Sequence, residues 1–152
     1  MKKYIILTLL IFGMHQAFGC KPKLVMSIKH TPCFGKCPDY ELQIYSNGMV
    51  YYDGGRFSAR LGKMHKKITK KEVKDLIAKF NNAKFFEFND KYTAQVTDMP
   101  TTYISFYDHG KSKTITDYYD APPALRHLEM LLNAYADNDE GWILEKDSAP
   151  KK

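Results

Sequence analysis

Residues 30–40, HTPCFGKCPDY, gather the reactive side chains of this 152-residue chain. Cys33 and Cys37 have three residues between them. Pro32 and Pro38 flank the pair, Gly35 lies inside it, and His30 stands just upstream. Three chemistries use such a set. Thiol redox catalysis wants C-x-x-C at a helix N-terminus, where the dipole lowers a thiol pKa. Here the spacing is longer and a strand-like pattern follows. Copper handling would use His30, Cys33 and Cys37 as soft ligands suited to Cu(I). The proteins that do this sit on a thioredoxin-like βαβ frame, which this element order lacks. A disulfide staple needs only an oxidising compartment. Closing a ring of about five residues stabilises by ~2 kcal/mol in the chain-entropy picture. The reading is a Cys33–Cys37 staple, with thiol redox or copper handling as the alternative.

A second set lies downstream. Asp98, in VTDMPTT, is a candidate binding or acid–base carboxylate near Tyr92 and Asp117. Its bland alternative is an Asx-type turn. Asp117-Tyr118-Tyr119-Asp120 has the make-up of a sugar-binding rim, since aromatic rings stack on sugar faces and carboxylates take hydroxyls. Tyrosine is also simply a good strand residue. Lys63, Lys66, Lys67, Lys70, Lys71 and Lys74 surround His65. They suit an anionic membrane surface or a solvated loop and helix face. His109 and His127 have no ligand partner at metal spacing. The zincin, nucleophile-elbow, P-loop and dinucleotide motifs are absent. No catalytic residue and no cofactor are therefore assigned, and the chain reads as a non-enzyme.

The chain opens MKKYIILTLLIFGMHQAFGC. Charge, a short apolar core and small residues follow in the order of a secretory signal. The apolar core is shorter than the ~20 residues a bilayer span needs. Cleavage after Gly19 would leave Cys20 first, as in a lipid-anchored bacterial protein, although Ala17 and Phe18 depart from the usual lipobox. Three cysteines are odd for an exported chain. Acylation of Cys20 leaves Cys33 and Cys37 as a pair. Simple secretion is the alternative. Loss of Lys2 and Lys3 takes the 23 basic residues to 21 against 17 acidic ones, a formal charge of +4. Export makes nucleic acid an unsuitable target for that bias.

The elements that must position these residues follow from periodicity. LVMSIKH (24–30) and YELQIYS (40–46) alternate as half-buried strands. Asn47-Gly48 predicts a type I′ hairpin turn into MVYYDG. RFSARLG (56–62) continues the meander. Thr69 and Glu72 form a capping box, and Val73, Leu76, Ile77 and Phe80 make one helical stripe. FFEFNDKY (85–92) tucks its aromatics under the helix end. Residues 101–108 and 111–120 form a hairpin across His109-Gly110. Pro122-Pro123 opens a second helix with Leu125, Leu128, Leu132 and Tyr135 inward. Trp142 and Ile143 close the core edge. The order β-β-β-(β)-α-β-β-α implies an α+β fold, an antiparallel sheet of hairpins with two helices on one face. The divisions are a signal peptide at 1–19, a tether at 20–23, one domain at 24–144 and a disordered tail at 145–152.

TPCFGKCPDYELQIYSNGMVYY resembles the signature of DUF6438, a bacterial domain family of unknown function. Tyr92, Asp98, Pro100 and Trp142 fit the same pattern, over roughly residues 24 to 142. The resemblance implies one domain in a small exported or lipid-anchored protein, and it transfers no catalytic residue. The expected function is an envelope module, monomeric and membrane-held through Cys20, that binds a protein or glycan or plays a structural part. The alternatives are the thiol or copper protein and an inhibitor of an exported enzyme.

Overall fold

The computed structural model describes residues 21–146. The expected signal segment, Cys20 and residues 147–152 of the expected tail lie outside the described residues.

Four strands open the domain: β1 (Leu24–His30), β2 (Tyr40–Tyr45), β3 (Met49–Gly54) and β4 (Gly62–Lys67). Helix α1 (Lys70–Asn82) and a 3-10 turn (Phe85–Glu87) follow, then β5 (Lys91–Tyr92), β6 (Thr102–Asp108) and β7 (Lys111–Asp117). Helix α2 (Pro123–Asp137) and β8 (Ile143–Leu144) complete the order. The eight strands make one sheet, β5-β7-β6-β1-β2-β3-β4-β8. β1 joins the early meander to the late hairpin, setting Ile28 opposite both Leu42 and Ile104.

Alternation decides which side is dry. Met26, Ile28, Leu42, Ile44, Ile104 and Phe106 are fully buried on one face. Both helices lie there. Phe80 of α1 packs on Phe106 at 5.0 Å between ring centroids. Asn133 of α2 accepts hydrogen bonds from His30 (3.0 Å) and the Tyr40 hydroxyl (2.7 Å). Helix α1 starts where the capping box puts it: the Thr69 hydroxyl accepts from the Glu72 N–H, and the Glu72 carboxylate accepts from the Thr69 N–H. The α+β architecture with two helices on one face is as the sequence implies.

Four details differ. The fourth strand is Gly62–Lys67, not 56–62. Residues 55–61 close into a loop instead, where the Ser58 hydroxyl donates to the carbonyls of Gly55 and Arg60. The Asn47-Gly48 turn is not type I′. Among non-glycine residues Asn47 is not left-handed; only Gly48 is, at φ 86°, with its N–H donating to the Tyr45 carbonyl at 2.9 Å. The type I′ pattern falls at His109-Gly110, with φ of 47° and 79°. The sheet is not wholly antiparallel: β5 runs parallel to β7. The chain enters β5 from the 3-10 turn, so no tight turn dictates the antiparallel sense. Finally, Trp142 packs but Ile143 is exposed and serves β8, opposite His65.

The C-terminal end of α2 is fastened by cations, which suit the negative end of a helix dipole. The Arg60 guanidinium donates to the carbonyls of Ala136 and Asp137, and Lys66 Nζ donates to the Tyr135 carbonyl at 2.8 Å. Trp142 lies within cation–π reach of Lys66 (4.3 Å) and Arg60 (5.5 Å), and its ring N–H donates to the Asn138 carbonyl.

Gly48 tests the turn. A Cβ there would stand 2.3 Å from the Ile68 carbonyl oxygen, at a left-handed φ. Gly48→Ala is expected to lower unfolding free energy by at least about 2 kcal/mol in urea titration, whereas Gly110→Ala, with open space around it, costs less.

Candidate functional site

The cysteines are joined by a disulfide, with Cα atoms 5.5 Å apart. The ring sits on the β1–β2 connection, not at a helix N-terminus. Its base is held by neighbours: the Thr31 N–H donates to the Thr101 carbonyl, and the Asp39 N–H to the Arg56 carbonyl. The partners of His30 are Tyr40, Asn133 and Thr102. The imidazole is half-buried against Tyr40, with rings 4.8 Å apart. Nε2–H donates to the Asn133 side-chain oxygen, and Nδ1 lies 3.1 Å from the Thr102 hydroxyl, which can donate to it in the neutral ring. Burial pushes its pKa below the ordinary histidine value. The trio considered for copper is thus not assembled as ligands, and among the described residues no cluster of three His, Cys, Asp or Glu side chains is placed to hold a metal.

The second set is partly brought together. Tyr92 and Tyr118 are neighbours through β5 and the end of β7, where the Tyr118 N–H donates to the Tyr92 carbonyl at 2.9 Å. Their hydroxyls serve backbone: Tyr92 accepts from the Asn89 N–H, while Tyr118 donates to the Val96 carbonyl and accepts from the Met99 N–H. Tyr118 therefore braces the loop that carries Asp98. The Asx turn considered at Asp98 has no donor at Pro100, and residue 98 takes φ 63° instead. Tyr119 is exposed. Asp117 turns to the inner face, opposite Thr102.

There it meets a group that sequence reasoning missed. Glu129, on α2, is only 9 % exposed. Among the described residues, Glu129 and Asp117 each keep one buried carboxyl oxygen without a hydrogen-bond partner. Burial first, and the Asp117 charge second, push the Glu129 pKa up to about 7, against a partial offset from Arg126. Burial likewise raises Asp117, with Arg126 opposing. The signal was faint: Glu129 follows Leu128 within the helix and reads as an ordinary solvent-side residue.

The lysine run divides between elements. Lys63 and Lys67 are exposed on β4, and Lys70, Lys71 and Lys74 on the first turns of α1, while Lys66 is buried. Burial lowers the Lys66 pKa, with Arg60 adding to the effect.

The uncovered face of the sheet carries the other feature. Glu41, Gln43 and Tyr45 of β2 stand beside Met49, Tyr51 and Asp53 of β3, forming an open groove of about 490 Å³. That lies within the range of ligand sites. The Tyr45 hydroxyl donates to Gln43 (3.2 Å), and Gln43 donates to Glu41 (2.6 Å). The Tyr45 and Tyr51 rings meet edge to face at 5.4 Å. The alternation that marked β2 and β3 also fixes these residues to one face. Nothing in it distinguishes a working face from a merely wet one.

A family model described as a domain of unknown function, DUF6438, matches residues 24–136. The chain belongs to the DUF6438 family. The match spans β1 to the last turn of α2, so the DUF6438 unit here includes the disulfide loop, both helices and the groove strands, while Trp142 and β8 lie beyond it. No curated protein and no solved structure matches the chain.

Glu129 makes the stability pH-dependent. Its folded pKa exceeds its unfolded one, so its favourable contribution is complete below the unfolded value near 4.5 and is lost as pH rises through about 7. The loss is on the order of 3 kcal/mol, at ~1.4 kcal/mol per pKa unit. Urea titrations across pH 4–9 are expected to show this fall in the natural chain and a flatter profile for Glu129→Gln, which becomes the more stable of the two above pH 7.

Proposed function

We propose that this domain is a non-catalytic module of the cell envelope, lipid-anchored at Cys20, that binds glycan on the uncovered face of its sheet. The observation that carries the reading is the groove between β2 and β3. A sugar ring needs an aromatic face for its C–H groups and acceptors and donors around its hydroxyls. Tyr45 and Tyr51 supply rings, and the Tyr45–Gln43–Glu41 chain supplies polar groups already oriented along one strand. Asp53 and Lys63 face each other across β3 and β4 at the groove's rim.

Export and anchoring are supported by the order of residues 1–20 and by cysteine parity, with Cys33 and Cys37 spent on each other. A disulfide is the ordinary state of such a pair outside the cytoplasm. The thiol and copper readings draw less support, because the sulfurs sit between two strands and His30 is engaged elsewhere. An inhibitor of an exported enzyme would use the same open face, and the Tyr45–Gln43–Glu41 chain of oriented polar groups favours glycan over it.

The test is calorimetric titration of the mature chain with chito-oligosaccharides, alongside pull-down on isolated peptidoglycan. Binding should weaken at least tenfold in Tyr51→Ala and remain in Tyr107→Ala, on the same face but on β6. No binding, or equal binding by both variants, contradicts the proposal. Intact mass of membrane-extracted protein should show a diacylglyceryl group on Cys20; an unmodified Cys20 refutes the anchor alone.

A further inference from the structure

The two ends of the sheet differ. At one end lie the β1–β2, β3–β4 and β5–β6 loops and the segment leaving β7, as strand directions require. Each carries an exposed apolar tip: Phe34, Phe57 with Leu61, Met99, and Tyr119. At the other end the hairpins are Ser46-Asn47-Gly48 and His109-Gly110, with no large apolar side chain among them. From β7 to β4 is five strand spacings, so the tips spread along about 24 Å.

Phe34 is 95 % exposed, at the crest of the disulfide ring, where the Gly35 N–H also bonds Cys33 Sγ. A ring this small leaves the side chain little backbone freedom to lose on binding. Left-handed backbone shapes three of the other loops. Phe57 itself is left-handed (φ 62°), as are Asp98 before Met99 (φ 63°) and Asp120 after Tyr119 (φ 66°). Left-handed backbone is a genuine outlier for a bulky residue such as Phe57, and such conformations gather at binding and switch sites. The Arg56 guanidinium further covers the Phe57 ring at 5.2 Å. The charges around the tips are of both signs, Lys36 and Arg56 against Asp98 and Asp120. An anionic bilayer would call for one sign. Apolar tips inside a mixed polar rim are the make-up of a protein interface.

We infer that the loop end is a preformed protein-docking face centred on Phe34, whose partner is a folded protein offering an apolar pocket for that ring with a carboxylate beside it for Lys36. This surface is separate from the groove, and it stands or falls independently of glycan binding.

The experiment places photo-reactive benzoylphenylalanine at position 34, or at position 47 on the opposite end, in cells producing the full chain. Position 34 should give one discrete protein adduct that position 47 lacks. The partner, once purified, should bind the mature chain at least tenfold less tightly in Phe34→Ala and in Lys36→Glu, with melting temperatures unchanged because both side chains are exposed. The inference is overturned by the absence of an adduct, by the same adducts from both positions, or by an affinity change under twofold in Phe34→Ala. Phe34-dependent sedimentation with phosphatidylethanolamine–phosphatidylglycerol vesicles overturns it in favour of a lipid surface.

Discussion

Met26, Ile28, Leu42, Ile44, Ile104 and Phe106 all project from one side of the sheet, and on that side alone α1 and α2 exclude water. Burying each such side chain stabilises by ~1.5–3 kcal/mol, so together they rival the entire net stability of a typical domain, ~5–15 kcal/mol. A one-residue slip of any strand would turn its apolar set outward. The register is therefore determined by burial, and burial on one side leaves the opposite side to polar residues and tyrosines. The groove between β2 and β3 is a product of that same constraint.

Helix α2 depends on polar fastenings as much as on its leucines. At its C-terminal end Arg60 and Lys66 hold backbone carbonyls while Trp142 lies against both cations. In its middle, Asn133 gathers His30 and Tyr40. Nearer its start, Glu129 feels the Asp117 charge, and each keeps one buried carboxyl oxygen unpaired among the described residues. A buried carboxyl retained at such a cost makes α2 the element whose attachment responds to pH.

Much of this was legible in the sequence because the determinants are local. The Thr69–Glu72 box, the proline-led α2 and the alternation of β1 and β2 each rest on residues within a few positions of one another, and each element is where those residues put it. The misreadings have non-local causes. β4 is GKMHKK, which looks like a solvated lysine run until Lys66 is given the Tyr135 carbonyl of a helix nearly seventy residues on. The Asn47-Gly48 turn changes type because the Gly48 carbonyl accepts from the Ile68 N–H, a partner outside the hairpin. β5 is two residues long and exists only beside β7. Of the candidate site residues, Cys33 and Cys37 pair as their spacing suggests, whereas the hydroxyls of Tyr92 and Tyr118 turn out to brace a loop.

The proposal that the uncovered sheet face is the working surface is tested by a residue-resolved NMR titration of the domain with a chito-oligosaccharide. Saturable shifts confined to Glu41, Gln43, Tyr45, Tyr51, Asp53 and their backbone neighbours on β2 and β3 are expected. Shifts that never saturate, or that cluster on the helices or on Tyr92 and Tyr118 while β2 and β3 stay still, would contradict it.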